Sequence, residues 1–233
     1  MSERLLLVDT ATPAGSVAVC QGEKLLGEIV LSGPANHTDH LLGTIDELLR
    51  GAGLALDDMD GFAVVLGPGS FTGLRVGVAT VKGLALAAGK PVVGVSSLAA
   101  LAWRLPFAAL PVCPLLDARK GEVYAALYQW TGEGFSPLLL PCVLPPERWL
   151  ERLANDVLFI GDGAQCYRGI IEERLGGRAH FAPWPAHACR ASNGLAPALD
   201  MLRRGEHIPL EGLIPAYIRP SEAELAEAGR HRG

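Results

Sequence analysis

Two stretches of this chain are written on one plan, and that duplication limits the folds open to it more than any other feature. Leu5-Leu6-Leu7-Val8-Asp9 is an apolar run ending in an acid; the turn Thr10-Ala11-Thr12-Pro13-Ala14 and the returning run Gly15-Ser16-Val17-Ala18-Val19 follow it. Val112 to Asp117 repeats the logic, with the turn Ala118-Arg119-Lys120 and the return Gly121 to Tyr128. Each reads as a hairpin with an aspartate at its tip. Between them the pattern predicts a third strand over 24–31, a helix over about 37–52, a strand over 63–66, a helix from Thr72 to Ala88 and a strand over 91–95. After Tyr128 it predicts a strand near 136–141, a helix near 146–154, a strand over 157–160 and helices near 164–175 and 191–204. Strands paired first as hairpins and then crossed over by helices give two mixed-sheet α/β lobes. The expected division is 1–99 and 100–190, then a helix and strand-like tail over 191–220 that closes the fold, and a polar, disordered tail over 221–233.

The junction Gly67-Pro68-Gly69-Ser70-Phe71-Thr72-Gly73-Leu74-Arg75-Val76-Gly77 turns the short strand into the long helix. A strand, glycine turn and helix in that order can aim backbone N–H groups and the helix dipole at an anion. The spacing nevertheless matches neither the P-loop nor the GxGxxG fingerprint, Pro68 removes a donor, and no lysine follows before Lys82. A tight connection that seats the helix on its sheet is the plainer reading. Gly73 and Gly77 stand four apart, with Thr80 and Leu84 continuing that face. These small residues suit the approach of a second helix or of the chain's own sheet.

With 233 residues, 49% of them hydrophobic and 19% charged, the chain can bury a sizeable core. Twenty basic against 25 acidic residues leave a net charge of −5, and no stretch gathers the basic cluster that phosphate-backbone binding needs. Five dispersed cysteines form no CxxC pair, which suits a reducing cytoplasm. The opening apolar run is too short for a signal peptide, and no later run is read as reaching the ~18 apolar residues of a membrane span.

Several segments, in order, carry a family resemblance: Asp9-Thr10-Ala11-Thr12, the glycine turn at 67–77, Lys82-Gly83-Leu84-Ala85, Gly94-Val95-Ser96-Ser97-Leu98, Asp117 to Tyr124 and Pro215-Ala216-Tyr217-Ile218-Arg219. Together, from about residue 4 to 219, they resemble the bacterial tRNA threonylcarbamoyladenosine biosynthesis family TsaB, of YeaZ type. The resemblance implies a two-lobed actin-like ATPase fold, ribonuclease H-like, with five-stranded mixed sheets. It also implies a non-catalytic scaffold that works with TsaD and the small ATPase TsaE. That system places threonylcarbamoyl on N6 of adenosine 37 in tRNAs decoding ANN codons, from an adenylate that a separate enzyme makes. Further implications are a homodimer in isolation, contact with tRNA only through the complex, no membrane, and a cytoplasmic location.

Active members of the superfamily place an aspartate where Asp9 stands, but their hairpin typically reads DxGT, and this chain has Ala11 at the glycine and Arg119 and Lys120 in the second tip. The cleft therefore reads as degenerate, with no catalytic residue and no cofactor. Asp9, Thr10, Thr12, Asp117 and Gly161 are the candidate weak nucleotide contacts, effective in the complex. The partner interface expected from the resemblance lies on the first two helices: His37, His40, Leu41, Thr72, Gly73, Arg75, Gly77 and Thr80. The stripe Leu41, Leu42, Ile45, Leu48 and Leu49 reads as core on periodicity. His37 and His40, with Asp39 between them, are the one pair spaced for a metal; Asn36 and Asp39 form a cap-like pair there, and no metal is expected. Two other readings stay open. A metallopeptidase of glycoprotease type would need an HxxxH pair or a nucleophile elbow that Ser70 does not supply. A small-molecule kinase or ATPase is permitted by Asp9 and Asp117 and disfavoured by Ala11 and the charged second tip.

Overall fold

The computed structural model describes residues 2–31 and 37–219; the expectations placed on Asn36 and on 221–233 lie outside the described residues, as do the side chains of His37 and Asp39. Among the described residues ten strands form two sheets of five. The first holds β1 (Arg4–Asp9), β2 (Gly15–Gln21), β3 (Lys24–Leu31), β4 (Gly61–Gly67) and β5 (Val92–Ser96), in the order β3-β2-β1-β4-β5. The second holds β6 (Val112–Asp117), β7 (Val123–Trp130), β8 (Phe135–Leu144), β9 (Val157–Ile160) and β10 (Ala179–Phe181), in the order β10-β9-β6-β7-β8. Reversed, the second order is the first. In each sheet three strands meander antiparallel, and the fourth and fifth then add in parallel. The duplication legible in the hairpins thus extends through the whole of both sheets, as the two-lobed reading requires.

Between Arg4 and Asp9 strand β1 is wholly apolar, Leu5 to Val8, because both faces of the sheet are covered. Leu6 and Val8 point to the side of helices α1 (His37–Gly51) and α2 (Phe71–Ala88), against Leu41, Ile45, Val78 and Val81. Leu5 and Leu7 point to the other side, where helix α7 (Ala191–Arg203) lays Ala191, Leu195, Ala198 and Leu199 on them. The period of two along the strand thus divides one run between two cores. The second sheet is enclosed likewise. Helices α4 (Pro146–Leu150) and α6 (Arg168–Leu175) bury Trp149, Leu150 and Ile171 on one face, while α3 (Ser97–Ala102) buries Leu98 and Leu101 on the other.

Several elements depart from the sequence-based expectation. The helix expected over 164–175 is two helices, α5 (Asp162–Cys166) and α6, broken at Tyr167, whose φ of −104° is not helical. Beyond α7 the only regular element among the described residues is a short 3-10 turn, Leu210–Gly212, so the strand-like tail is extended chain without a sheet partner. Leu42 is not core: it is 61% exposed, the outermost member of its stripe. Helix α2, 18 residues of mean hydropathy 1.3, is long and apolar enough to cross a membrane by length and composition alone, although Arg75 and Lys82 interrupt its apolar run. It buries Gly73, Leu74, Gly77, Val78, Val81 and Ala85 on its own lobe, as a core helix does.

Candidate functional site: the cleft between the lobes

The glycine turn settles what the first hairpin can do. Ser70 caps α2 through its hydroxyl, which accepts from the Gly73 N–H at 3.3 Å, while the Ser70 N–H donates to the Ala11 carbonyl at 2.7 Å. The Thr10 hydroxyl donates to the Gly73 carbonyl at 2.7 Å. A Cβ added at Gly69 would collide with the Ala11 carbonyl, one at Gly73 with the Thr10 carbonyl, and one at Gly77 with the Thr10 hydroxyl. The three glycines are therefore a track on which the hairpin tip lies. As a correction to the expected interface, Gly73 and Gly77 face the chain's own hairpin, and Leu41 is buried in the core. His40, Thr72 and Arg75 are exposed and Thr80 is half-buried.

Asp9 itself is only 2% exposed. Its carboxyl accepts from the Ala11 N–H at 2.9 Å. Burial pushes its pKa up to about 6; the Ala11 N–H opposes that rise, and the Glu28 charge adds to it. Thr10 is as deeply buried as Asp9.

The cleft itself is a cavity of about 640 Å³ between the lobes. Of the five candidate nucleotide contacts, Thr12 and Asp117 line it; Asp9, Thr10 and Gly161 do not. Gly161 has a φ of 112° and packs against the Leu115 carbonyl with no room for a side chain. Its backbone is held by His187, whose Nδ1 lies 3.1 Å from the Gly161 nitrogen and whose Nε2 lies 2.9 Å from the Ala182 carbonyl. His187 thus braces the second lobe, a role no spacing in the sequence announces. On the cavity floor Asp162 accepts from the Asp117 N–H at 3.1 Å and from the Gly163 N–H at 2.8 Å. Burial raises its pKa; those two N–H groups pull it down. Asp117 accepts from the Arg119 N–H at 2.9 Å.

One wall was not anticipated. The extended segment 214–219 runs from lobe to lobe as a strap. The Ala216 N–H donates to the Leu66 carbonyl at 2.8 Å, and Tyr217 stacks on Phe71 with ring centroids 4.7 Å apart. Arg219 donates to the Ala118 carbonyl at 3.2 Å and pairs with Glu122. The sequence signal for it is the aromatic and arginine of Pro215-Ala216-Tyr217-Ile218-Arg219.

Comparison with known proteins agrees with this geometry. The family model "TsaD: tRNA N6-adenosine threonylcarbamoyltransferase" matches residues 24–227. The tRNA threonylcarbamoyladenosine biosynthesis protein TsaB of Escherichia coli is 35% identical over 94% of this chain and 96% of its own length. That of Bacillus subtilis is 31% identical over 94% and 96%. The chain belongs to the TsaB family. YeaZ from Pseudomonas aeruginosa superposes with a TM-score of 0.78 at 33% identity, over 92% of this chain and 99% of that one. At 14% identity, component A of (R)-2-hydroxyglutaryl-CoA dehydratase from Acidaminococcus fermentans still superposes with a TM-score of 0.52. It shares the two-lobed fold of this TsaB chain.

Proposed function

We propose that this TsaB chain serves tRNA threonylcarbamoyladenosine biosynthesis as a non-catalytic scaffold for TsaD. The pathway follows from the family. The observation that carries the absence of catalysis is the burial of Asp9: a carboxylate 2% exposed that does not line the cleft cannot order a water or a metal-bound phosphate there. TsaE joins the assembly, the free protein is a homodimer, tRNA is held through the complex, and the protein works in the cytoplasm. A weak nucleotide contact persists in the complex at Thr12 and Asp117. The lobes are taken as 1–99 and 100–190, with 191–220 returning to close the fold.

The docking face supported best is the outer side of α1 and α2, which pack beside each other. Leu42 on α1 is 61% exposed and Leu86 on α2 is 71% exposed, and His40, Thr72, Arg75 and Gly83 on the same two helices are exposed too. An apolar helix left bare along one side is what a partner helix requires. The deciding experiment is pull-down with TsaD and reconstituted tRNA modification, using a Leu42→Glu and Leu86→Glu double variant. Both positions are exposed, so the variant folds; it should lose TsaD and tRNA modification together. A folded double variant that still supports modification at the native level defeats this placement. ATP turnover by the isolated chain, abolished in Asp9→Ala, would defeat the non-catalytic reading.

A further inference from the structure

A second depression shares no lining residue with the cleft. It is an open groove of about 620 Å³, bounded by the turn that follows α3, the segment 183–186 and the first turns of α7. Trp103, Pro106, Pro183 and Pro185 make its walls apolar and stiff. Trp103 is itself held edge-on by Trp130 and Phe135, with ring centroids 5.5 and 6.1 Å away. Trp184, between the two wall prolines, is 81% exposed, and Phe107, next after Pro106, is 78% exposed. Among the described residues these are the two most exposed large apolar side chains, and both adjoin the walls of one groove in the chain. Phe107 has a φ of 65°, a left-handed conformation that a bulky residue keeps only where its surroundings fix it. Bare aromatic rings gathered beside a stiff apolar groove mark a surface for protein contact.

The polar groups of the groove decide what kind of segment fits it. Arg104 lines it, and no carboxylate pairs with this arginine among the described residues. Its guanidinium donates to the Pro185 carbonyl at 2.7 Å and, over a long 3.4 Å, to the Asn193 Oδ1. Two neutral oxygens leave its charge unanswered. Burial and the charge of Arg190 hold its pKa below the usual value; Glu28 opposes them, but is already engaged by Arg190 at 3.6 Å and by the Ser192 N–H at 2.8 Å. Pro197, inside α7, has no N–H to give the Asn193 carbonyl four residues before it, so that carbonyl lacks its helical donor. The groove thus brings an unanswered cation and a backbone acceptor together between apolar walls. An extended acidic peptide carries the matching set: a carboxylate, backbone N–H groups and apolar side chains. A nucleic-acid backbone would require a larger basic surface than Arg104 and Arg190 supply in a chain of net charge −5.

We propose that this groove docks an extended, acidic segment of a partner protein, its carboxylate on Arg104 and its flanking apolar residues on Trp103, Trp184 and the wall prolines. The groove uses no residue of the outer side of α1 and α2, so failure here leaves the scaffold reading standing.

The test is selection from a random peptide library displayed on phage, with the purified full chain as bait and its Ala196→Glu variant as the counter-selecting surface. Ala196 lines the groove, is exposed, and lies three residues beyond Asn193 on α7, so a glutamate there leaves the fold intact and sets a competing carboxylate in the groove. The surviving peptides, made synthetically and titrated by fluorescence anisotropy, should bind saturably and carry an acidic residue flanked by apolar ones. Exchange of that acid for its amide should weaken binding at least about tenfold, as should Arg104→Gln and Trp184→Ser in the protein. Arg148→Gln, at an exposed arginine on α4, should leave affinity unchanged. The amide peptide asks the charge question with the protein intact, and it decides the matter if Arg104→Gln lowers the melting temperature. Survival of no peptide through the counter-selection overturns the proposal. So do survivors without an acid, native affinity in the amide peptide or in Trp184→Ser, or an equal loss in Arg148→Gln.

Discussion

Thr10 and Gly73 grip each other: the threonine hydroxyl donates to the glycine carbonyl at 2.7 Å, and the threonine carbonyl stands where a Cβ on the glycine would have to go. The contact spans 63 residues and joins the first hairpin to α2. Backbone, not a pliable side chain, is what a substitution at Gly73 would meet. Gly73→Ala should therefore destabilise the protein by about 3 kcal/mol or more. Gly77→Ala meets only the Thr10 side chain and should cost about 1–3 kcal/mol. Gly83, exposed on the same helix with nothing near it, should gain about 0.5–1 kcal/mol on replacement by Ala, because helix propensity acts there alone. Urea unfolding of the three variants gives the order; equal effects at 73 and 83 would contradict the track.

Asp9 gives the fold a pH dependence of definite sign. Its folded pKa, about 6, lies above the ordinary 3.8, so the folded protein holds that proton longer than the unfolded chain does. Its effect on stability is absent below about pH 3.8, grows as pH rises to about 6, and is then a constant penalty of at most about 3 kcal/mol. In Asp9→Asn this slope should vanish. The measurement is the stability difference between variant and wild type at pH 4, 5, 6 and 8, moving in favour of the variant across that range. A difference that does not change with pH would show that Asp9 ionises as freely in the fold as outside it.

The strap should set how firmly the lobes are joined. Removing the Tyr217 ring (Tyr217→Ala) takes away the stack on Phe71 and the bond to Arg75, and Arg219→Ala removes the pair with Glu122. Each should cost about 1–2 kcal/mol, discounted for partial exposure. The more specific readout is hydrogen exchange at the Ala216 amide, bonded to Leu66, which should exchange about tenfold faster in Tyr217→Ala. Unchanged exchange would mean that the strap is held by its backbone alone.

For tRNA, the isolated protein should bind weakly, and its affinity should fall only gently with added salt, since the net charge is −5. A filter-binding series from low to physiological salt checks this. Sub-micromolar affinity with a steep salt slope would reveal a basic face that the overall charge conceals.

Much of the architecture was legible because it is local. Apolar runs ending in Asp9 and Asp117 announce their hairpins through residues a few positions apart, and the glycine turn announces the start of α2. Family membership was legible too, in motifs spread over the chain. What the chain could not disclose by itself is which distant surfaces meet. The apolar stripe of α7 says that it is buried, not where. Only the folded chain brings Ala191 to donate to the Ser16 hydroxyl and Ser192 to donate to Glu28, across 175 and 164 residues, and so returns the helix to the first lobe. Gly73 and Gly77 read equally as a partner surface or as a seat for the chain's own backbone, since the absence of a side chain signals close approach without naming what approaches. Asp9 reads as a cleft residue from its place at a hairpin tip; only the packing of the folded chain decides that it is buried. Side-chain period and turn chemistry are written in neighbouring residues, whereas burial and contact arise from packing between segments that the sequence keeps far apart.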